Sequence, residues 1–255
     1  MGSVMMYESM RSYAEMENFI EESIAEAVYK DKSVTAKFLF NRVHNETDGA
    51  VKQEENEEKL VPTAFHEAGH AVMQWLFGRR NDYVTIVSRG NYGGYSLAKS
   101  KLYTGQDFLN QICISFAGRA SEMIYLNCSE EKDIADGMNI GAGNDLQKAT
   151  QLAYDYVCRY GFGDNFLVVP GRLAGQRGGY PESVLPEQDK AVMWDSIRQI
   201  LRQQWERTMQ LLKARWGEVG ALAVSLVYMK ELDGETVDSA DIWTGQYGRE
   251  REYTR

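Results

Sequence analysis

A mainly α-helical fold with a small β element is the architecture this sequence predicts. Three observations point to it: apolar residues recur at helical spacing through most of the chain, β-branched runs are confined to one short stretch, and glycine or proline marks the breaks. Between Met5 and Lys30, the residues Met16, Phe19, Ile20, Ile24, Ala27 and Val28 fall at 3.6-type spacing with glutamates interspersed, which predicts an amphipathic helix. Asn45 to Lys59 is nearly devoid of apolar side chains and rich in glutamate, as in a solvated linker. The chain therefore divides into an N-terminal helical extension (1–44), an acidic linker (45–61) and a main domain (62–255).

Behind Pro62, Thr63 can cap a helix running to about Phe77, its hydroxyl accepting from the free amides of the first turn. The runs Tyr83 to Ser88 and Tyr95 to Ala98, separated by Gly90, Gly93 and Gly94, predict two short strands. Thr104 and Asp107 form a capping-box pattern ahead of Phe108, Ile112, Phe116, Ala120 and Met123, a helix to about Leu126. Leu146, Ala149, Ala153, Tyr156 and Tyr160 predict another, with Asp145 in its first turn and Gly161 at its end. Gly161 to Pro186 holds three of the four prolines and reads as a long loop bordering the cleft. Val192, Ile197, Leu201, Trp205, Met209 and Leu212 mark a long helix from Glu187 to Trp216. Glu218 to Glu231 continues after Gly217, and a short helix near Ser239 to Trp243 closes the chain.

The net charge of −9 and pI near 5.0 repel phosphate backbones, so nucleic acid is not an expected partner. The longest apolar run, Ala221 to Met229, is about half of the roughly 20 residues a membrane-crossing helix needs, so no direct membrane span is expected. An acidic N-terminus without a leader pattern and three scattered cysteines, Cys113, Cys128 and Cys158, suit a cytoplasmic protein.

Chemistry concentrates at His66, Glu67 and His70. On a helix Glu67 and His70 each lie within about 100° of His66, so both imidazoles can reach one metal ion with the carboxylate beside it. Zinc accepts imidazole and carboxylate ligands and, in catalytic sites, uses three of them and leaves a position for water. The glutamate would take that water's proton, an arrangement suited to amide hydrolysis. The third ligand must be acidic, or else His44. Leu76 stands where metzincins place a third histidine, and Tyr83 to Gln106 holds no acidic residue of the thermolysin kind. Glu122 and Asp145 remain, and Asp145 is favoured because the amide dipoles of a helix start stabilise its charge.

The segments TAFHEAGHAV, VTIVSRG, GGYS, AGRASEMIY and GAGNDLQKATQLAYDYVCRYGF, in this order from Pro62 onward, closely resemble the peptidase domain of the FtsH family of membrane-anchored AAA zinc metalloproteases. The resemblance implies a helical zincin-type fold, a Zn2+ ion held by His66, His70 and Asp145, Glu67 as catalytic base, and assembly into a homo-oligomer, a hexameric ring in that family. Two positions depart from the family's pattern: Asn139-Ile140 replaces Ser-Thr, and Met123 replaces a second glutamate. Neither is a ligand.

No G-x-x-x-x-G-K-[ST] loop occurs, so no ATP is expected to bind. The resulting expectation is an ATP-independent zinc metalloendopeptidase acting on peptides or unfolded protein, with Gly94 to Ala98 offering an edge to an extended substrate. The competing reading is a catalytically quiet partner that keeps the fold in order to join ATPase-bearing proteases.

Overall fold

A computed structural model of the 255-residue chain describes residues 13–31, 33–35, 38–39, 42, 57–88, 94–98, 102–128, 141–163 and 187–237. Linker residues 45–56, loop residues 164–186, the short helix near Ser239 to Trp243, and the alternative ligand His44 lie outside the described residues. The chain separates into two compact units, residues 1–56 with 87–95, and 57–86 with 96–255. No described helix is long and apolar enough to cross a membrane.

The first unit contains α1 (Tyr13–Tyr29). Its buried stripe is Phe19, Ser23 and Ala27, one residue per turn, while Ile24 and Val28 are exposed. The buried face is thus rotated from the one the apolar pattern predicts. Ser23 can be buried because its hydroxyl donates to the Phe19 carbonyl at 2.5 Å. Beside that stripe Arg42 donates to Glu22 and Glu26, each at 2.7 Å, and its guanidinium lies 5.4 Å from the Phe19 ring centroid.

The second unit begins with α2 (Glu57–Leu76). This helix starts six residues ahead of the predicted cap at Thr63, which therefore lies inside it, and residues 57–61, read as linker, are helical. Pro62 forfeits one backbone bond near the helix start, and a turn of helix-favouring residues precedes it. Gly78, at φ 69°, closes the helix, with its amide on the Trp75 carbonyl and that of Arg79 on Gln74, each 2.9 Å. Next come β1 (Asn81–Thr85), β2 (Tyr95–Ala98) and α3 (Gly105–Tyr125). The capping box predicted for α3 is present: Thr104 Oγ1 accepts from the Asp107 amide at 3.2 Å, and the Thr104 amide donates to Asp107 Oδ2 at 2.9 Å. Helix α4 (Gly143–Tyr154) runs into a π-helical turn, Asp155–Arg159, and ends before Gly161 at φ 66°.

Helix α5 (Glu187–Ala214) breaks at Arg215, earlier than predicted, and Trp216 instead opens α6 (Trp216–Met229). Lys230, at φ 66°, ends α6 two residues before the predicted boundary, and β3 (Glu231–Asp233) and the single turn α7 (Gly234–Val237) follow. The sheet order is β2-β1-β3, with β1 antiparallel to β3 in the register Tyr83↔Asp233, Val84↔Leu232, Thr85↔Glu231. Strand β1 starts two residues earlier than predicted and stops at Thr85, the last residue in register with β3. The buried Asn81 tethers the sheet to α2, its Nδ2 donating to the Ala71 carbonyl at 3.1 Å.

Helix α3 is the axis of this unit. Its Cys113, Ile114, Ala117 and Ala120 share a core with Ala64, Ala68, Ala71 and Val72 of α2 and Leu222 and Leu226 of α6. On its other side Ile112 and Phe116 pack with Ala149 and Ala153 of α4 and Met193 and Ile197 of α5. Small residues let α2 and α3 approach closely, and Gly69 marks the tightest point. A β-carbon there would fall within 3.0 Å of the Ala117 carbonyl oxygen and the Ser121 side chain. Gly69→Ala is therefore expected to destabilise the fold by about 1–3 kcal/mol, read as a lower urea midpoint; an unchanged midpoint would argue against this close crossing.

Candidate metal centre

Close approach of α2 and α3 sets the geometry of the two histidines. Three residues spaced by four along α3 face them: Ile114, Gly118 and Glu122. His70 Nδ1 lies 2.7 Å from the Ile114 carbonyl oxygen, and His66 Nδ1 lies 2.6 Å from Glu122 Oε1. Both partners are acceptors, so both rings carry their proton on Nδ1 and turn Nε2 the other way. Gly118 sits under the rings, where a β-carbon would fall within 3.0 Å of both Nε2 atoms. Only a residue without a side chain fits there.

Helix α4 supplies the third group. Asp145, in its first turn beside free backbone amides, brings Oδ2 to 3.2 Å from His66 Nε2 and 3.4 Å from His70 Nε2, while the two Nε2 atoms are 3.1 Å apart. His66, His70 and Asp145 thus form a group that could hold a metal ion. Three potential ligand atoms converge while the second nitrogen of each ring is already committed, which is the pattern of metal-ligating histidines. The donor set, two nitrogens and an oxygen, fits zinc.

Electrostatics favour positive charge at this point. Burial opposes charge on His66, but its hydrogen bonds to Asp145 and Glu122 and the nearby Glu67 carboxylate outweigh that and raise it to about 10. For Asp145 burial acts upward, and hydrogen bonds from His66 and His70 hold it well below the usual carboxylate range. Burial raises Glu67, whose Oε2 has no hydrogen-bond partner among the described residues. The site is not sealed: 28% of the Asp145 side chain is exposed, against 10% for each histidine.

The spacing of His66, Glu67 and His70 is readable in the sequence, whereas the roles of their neighbours are not. Glu122, only 2% exposed, is oriented to Nδ1 of His66 instead of the point where the Nε2 atoms meet, and its other oxygen lies 3.4 Å from Arg119 Nη1. The Ile114 contribution is a backbone carbonyl, which no side-chain pattern reveals. Gly118 carries a signal only in hindsight, as the one residue without a side chain in the AGRASEMIY stretch.

The model of peptidase family M41 matches residues 51–241. The chain is similar to an ATP-dependent zinc metalloprotease FtsH of Cupriavidus metallidurans, with 31% identity over 74% of this chain and 29% of the relative. It is also similar to ATP-dependent zinc metalloprotease FtsH 1 of a Thermoanaerobacter species, with 28% identity over 87% of this chain and 37% of the relative. A mitochondrial inner membrane m-AAA protease component of Mus musculus matches with 29% identity over 69% of this chain and 21% of the relative. The chain thus spans between 21% and 37% of the length of these relatives.

Loss of the Glu122 carboxylate should loosen the His66 ring. Glu122→Ala is expected to weaken divalent-metal affinity about 10–100-fold, with a smaller loss for Glu122→Gln, which keeps one acceptor oxygen. Competition with a chromophoric chelator measures this, and equal affinity in all three proteins would contradict it.

Proposed function

Because this chain belongs to peptidase family M41, we propose that it is a zinc metalloendopeptidase, with zinc held by His66, His70 and Asp145 and with Glu67 as general base. One observation carries the reading: one ligand atom from each of His66, His70 and Asp145 meets at one point while both Nδ1 protons are tied to Glu122 and Ile114. When bound, zinc supplies Lewis acidity toward the attacking water and the scissile carbonyl.

The remaining work falls to the chain's own residues. His66 and His70 are held at fixed ring angles, so the ligand atoms need no rearrangement before reaction. Glu67 is buried next to His66 on α2, and its Oε2, without a hydrogen-bond partner among the described residues, is an acceptor for the proton of the attacking water. The same carboxyl then passes that proton to the departing amine. All of this is proton transfer and bond cleavage, so the reading needs no nucleotide, and its substrates are peptides or already unfolded protein. Among the described residues β2 pairs only with β1, leaving its other edge for an extended substrate to join by backbone hydrogen bonds.

Metal analysis combined with peptide cleavage tests this reading. Glu67→Gln is expected to lose about 100-fold or more in kcat while keeping its zinc, and Asp145→Ala to lose both. A Glu67→Gln protein as active as wild type would end the proposal. A wild-type chain that binds zinc yet cleaves no peptide with or without nucleotide would favour the quiet-partner reading. For the substrate edge, Leu97→Pro is expected to raise the peptide KM without unfolding the protein, and an unchanged KM in a folded variant would remove β2 from the substrate path.

A further inference from the structure

The face of α2 that carries His66 and His70 continues at the next four-residue step to Gln74, about 6 Å further along the helix axis. Gln74 is 6% exposed, deep for an amide. Its Nε2 donates to Ser96 Oγ on β2 at 3.2 Å. Ser96 Oγ in turn donates to Asn81 Oδ1 at 3.5 Å, and Asn81 Nδ2 donates to the Ala71 carbonyl at 3.1 Å. The chain of bonds leaves α2 at Gln74 and returns to it at Ala71. It passes through the first residue of β1 and the middle of β2.

We propose that Gln74, Ser96 and Asn81 form a clasp that fixes the height of the edge strand β2 against the metal-binding helix, and that Gln74 is a positioning residue for extended substrates. The inference rests on the peptidase reading above and deepens it by naming what registers a paired peptide with the site. Packing alone does not account for the amide. Gln74 Oε1 is buried with no hydrogen-bond partner among the described residues. An apolar side chain of similar volume would fill the same space without an unpaired acceptor. What the amide adds is the link to Ser96.

That link matters because, among the described residues, β2 pairs with β1 alone. A peptide that pairs with β2 on the side away from β1 gains its backbone hydrogen bonds only while the strand is held in place, so a displaced strand weakens that pairing and raises KM. Substrates long enough to pair with β2 depend on the clasp; substrates touching only the metal site depend on it less.

The test uses the zinc-loaded full chain as wild type, Gln74→Leu, Ser96→Ala, the double variant and Ser96→Thr. Steady-state kinetics are measured on a tetrapeptide and an octapeptide, with urea midpoints alongside. Gln74→Leu and Ser96→Ala are each expected to raise the octapeptide KM about 3–10-fold, as loss of one hydrogen bond implies. The tetrapeptide KM should rise less, and kcat should fall less than KM rises. The double variant should be no worse than the singles, because both break the same link, and Ser96→Thr, which keeps the hydroxyl, should restore the wild-type KM. An unchanged octapeptide KM, an equal rise for both peptides, or a fall in kcat and urea midpoint at constant KM would overturn the clasp. If the wild type cleaves neither peptide, the peptidase reading fails and the clasp falls with it; if it does cleave and Gln74→Leu matches it, the clasp alone fails.

Discussion

Two helices can set imidazole rings against a neighbouring backbone only where no side chain stands between them. In this protein that condition is met at Gly69 of α2 and Gly118 of α3, and most of the site follows from it. At Gly69 the axes approach until the position of a β-carbon is filled by the Ala117 carbonyl and Ser121. Under the rings, Gly118 leaves room for both Nε2 atoms. Ile114 and Glu122, one turn to either side of Gly118, are then within hydrogen-bond reach of the two Nδ1 atoms. A helix packed by larger residues at these points would hold the same two histidines with no fixed ring orientation.

Burying these groups carries an electrostatic cost. Two imidazoles and the carboxylates of Glu67, Glu122 and Asp145 lie within or beside a largely dry cluster, and desolvation of each charge costs several kcal/mol. Arg119 offsets part of this at Glu122, and the amides at the start of α4 offset part at Asp145. A cation held at the meeting point of the Nε2 atoms and Asp145 would offset a further part. The partial exposure of Asp145 leaves that point open to solvent on one side.

Helix periods and caps were largely legible before the structure: α3 with its Thr104–Asp107 box, α4 with Asp145 in its first turn, and β2 at Tyr95–Ala98 all follow from local residue chemistry. What eluded the sequence was set by tertiary pairing. Strand β3, Glu-Leu-Asp, has no β-branched residue and exists because it pairs with β1. Strand β1 begins at Asn81, a poor strand former held by its bond to Ala71. The spacing of His66, Glu67 and His70 needs only helix geometry. The choice between Glu122 and Asp145 needs the crossing angle of three helices, since both are acidic and both lie near His66, and only the structure tells which ring nitrogen each one meets.

X-ray absorption at the zinc edge of the zinc-loaded chain addresses the centre most directly, because it reads ligand type and distance without relying on turnover. One zinc per chain is expected, with a nitrogen and oxygen shell at about 2.0–2.2 Å and the outer-shell scattering of two imidazoles. Sulfur at about 2.3 Å, which would draw on Cys113, Cys128 or Cys158, would contradict a site built from His66, His70 and Asp145. So would fewer than two imidazoles, or a chain that retains no zinc.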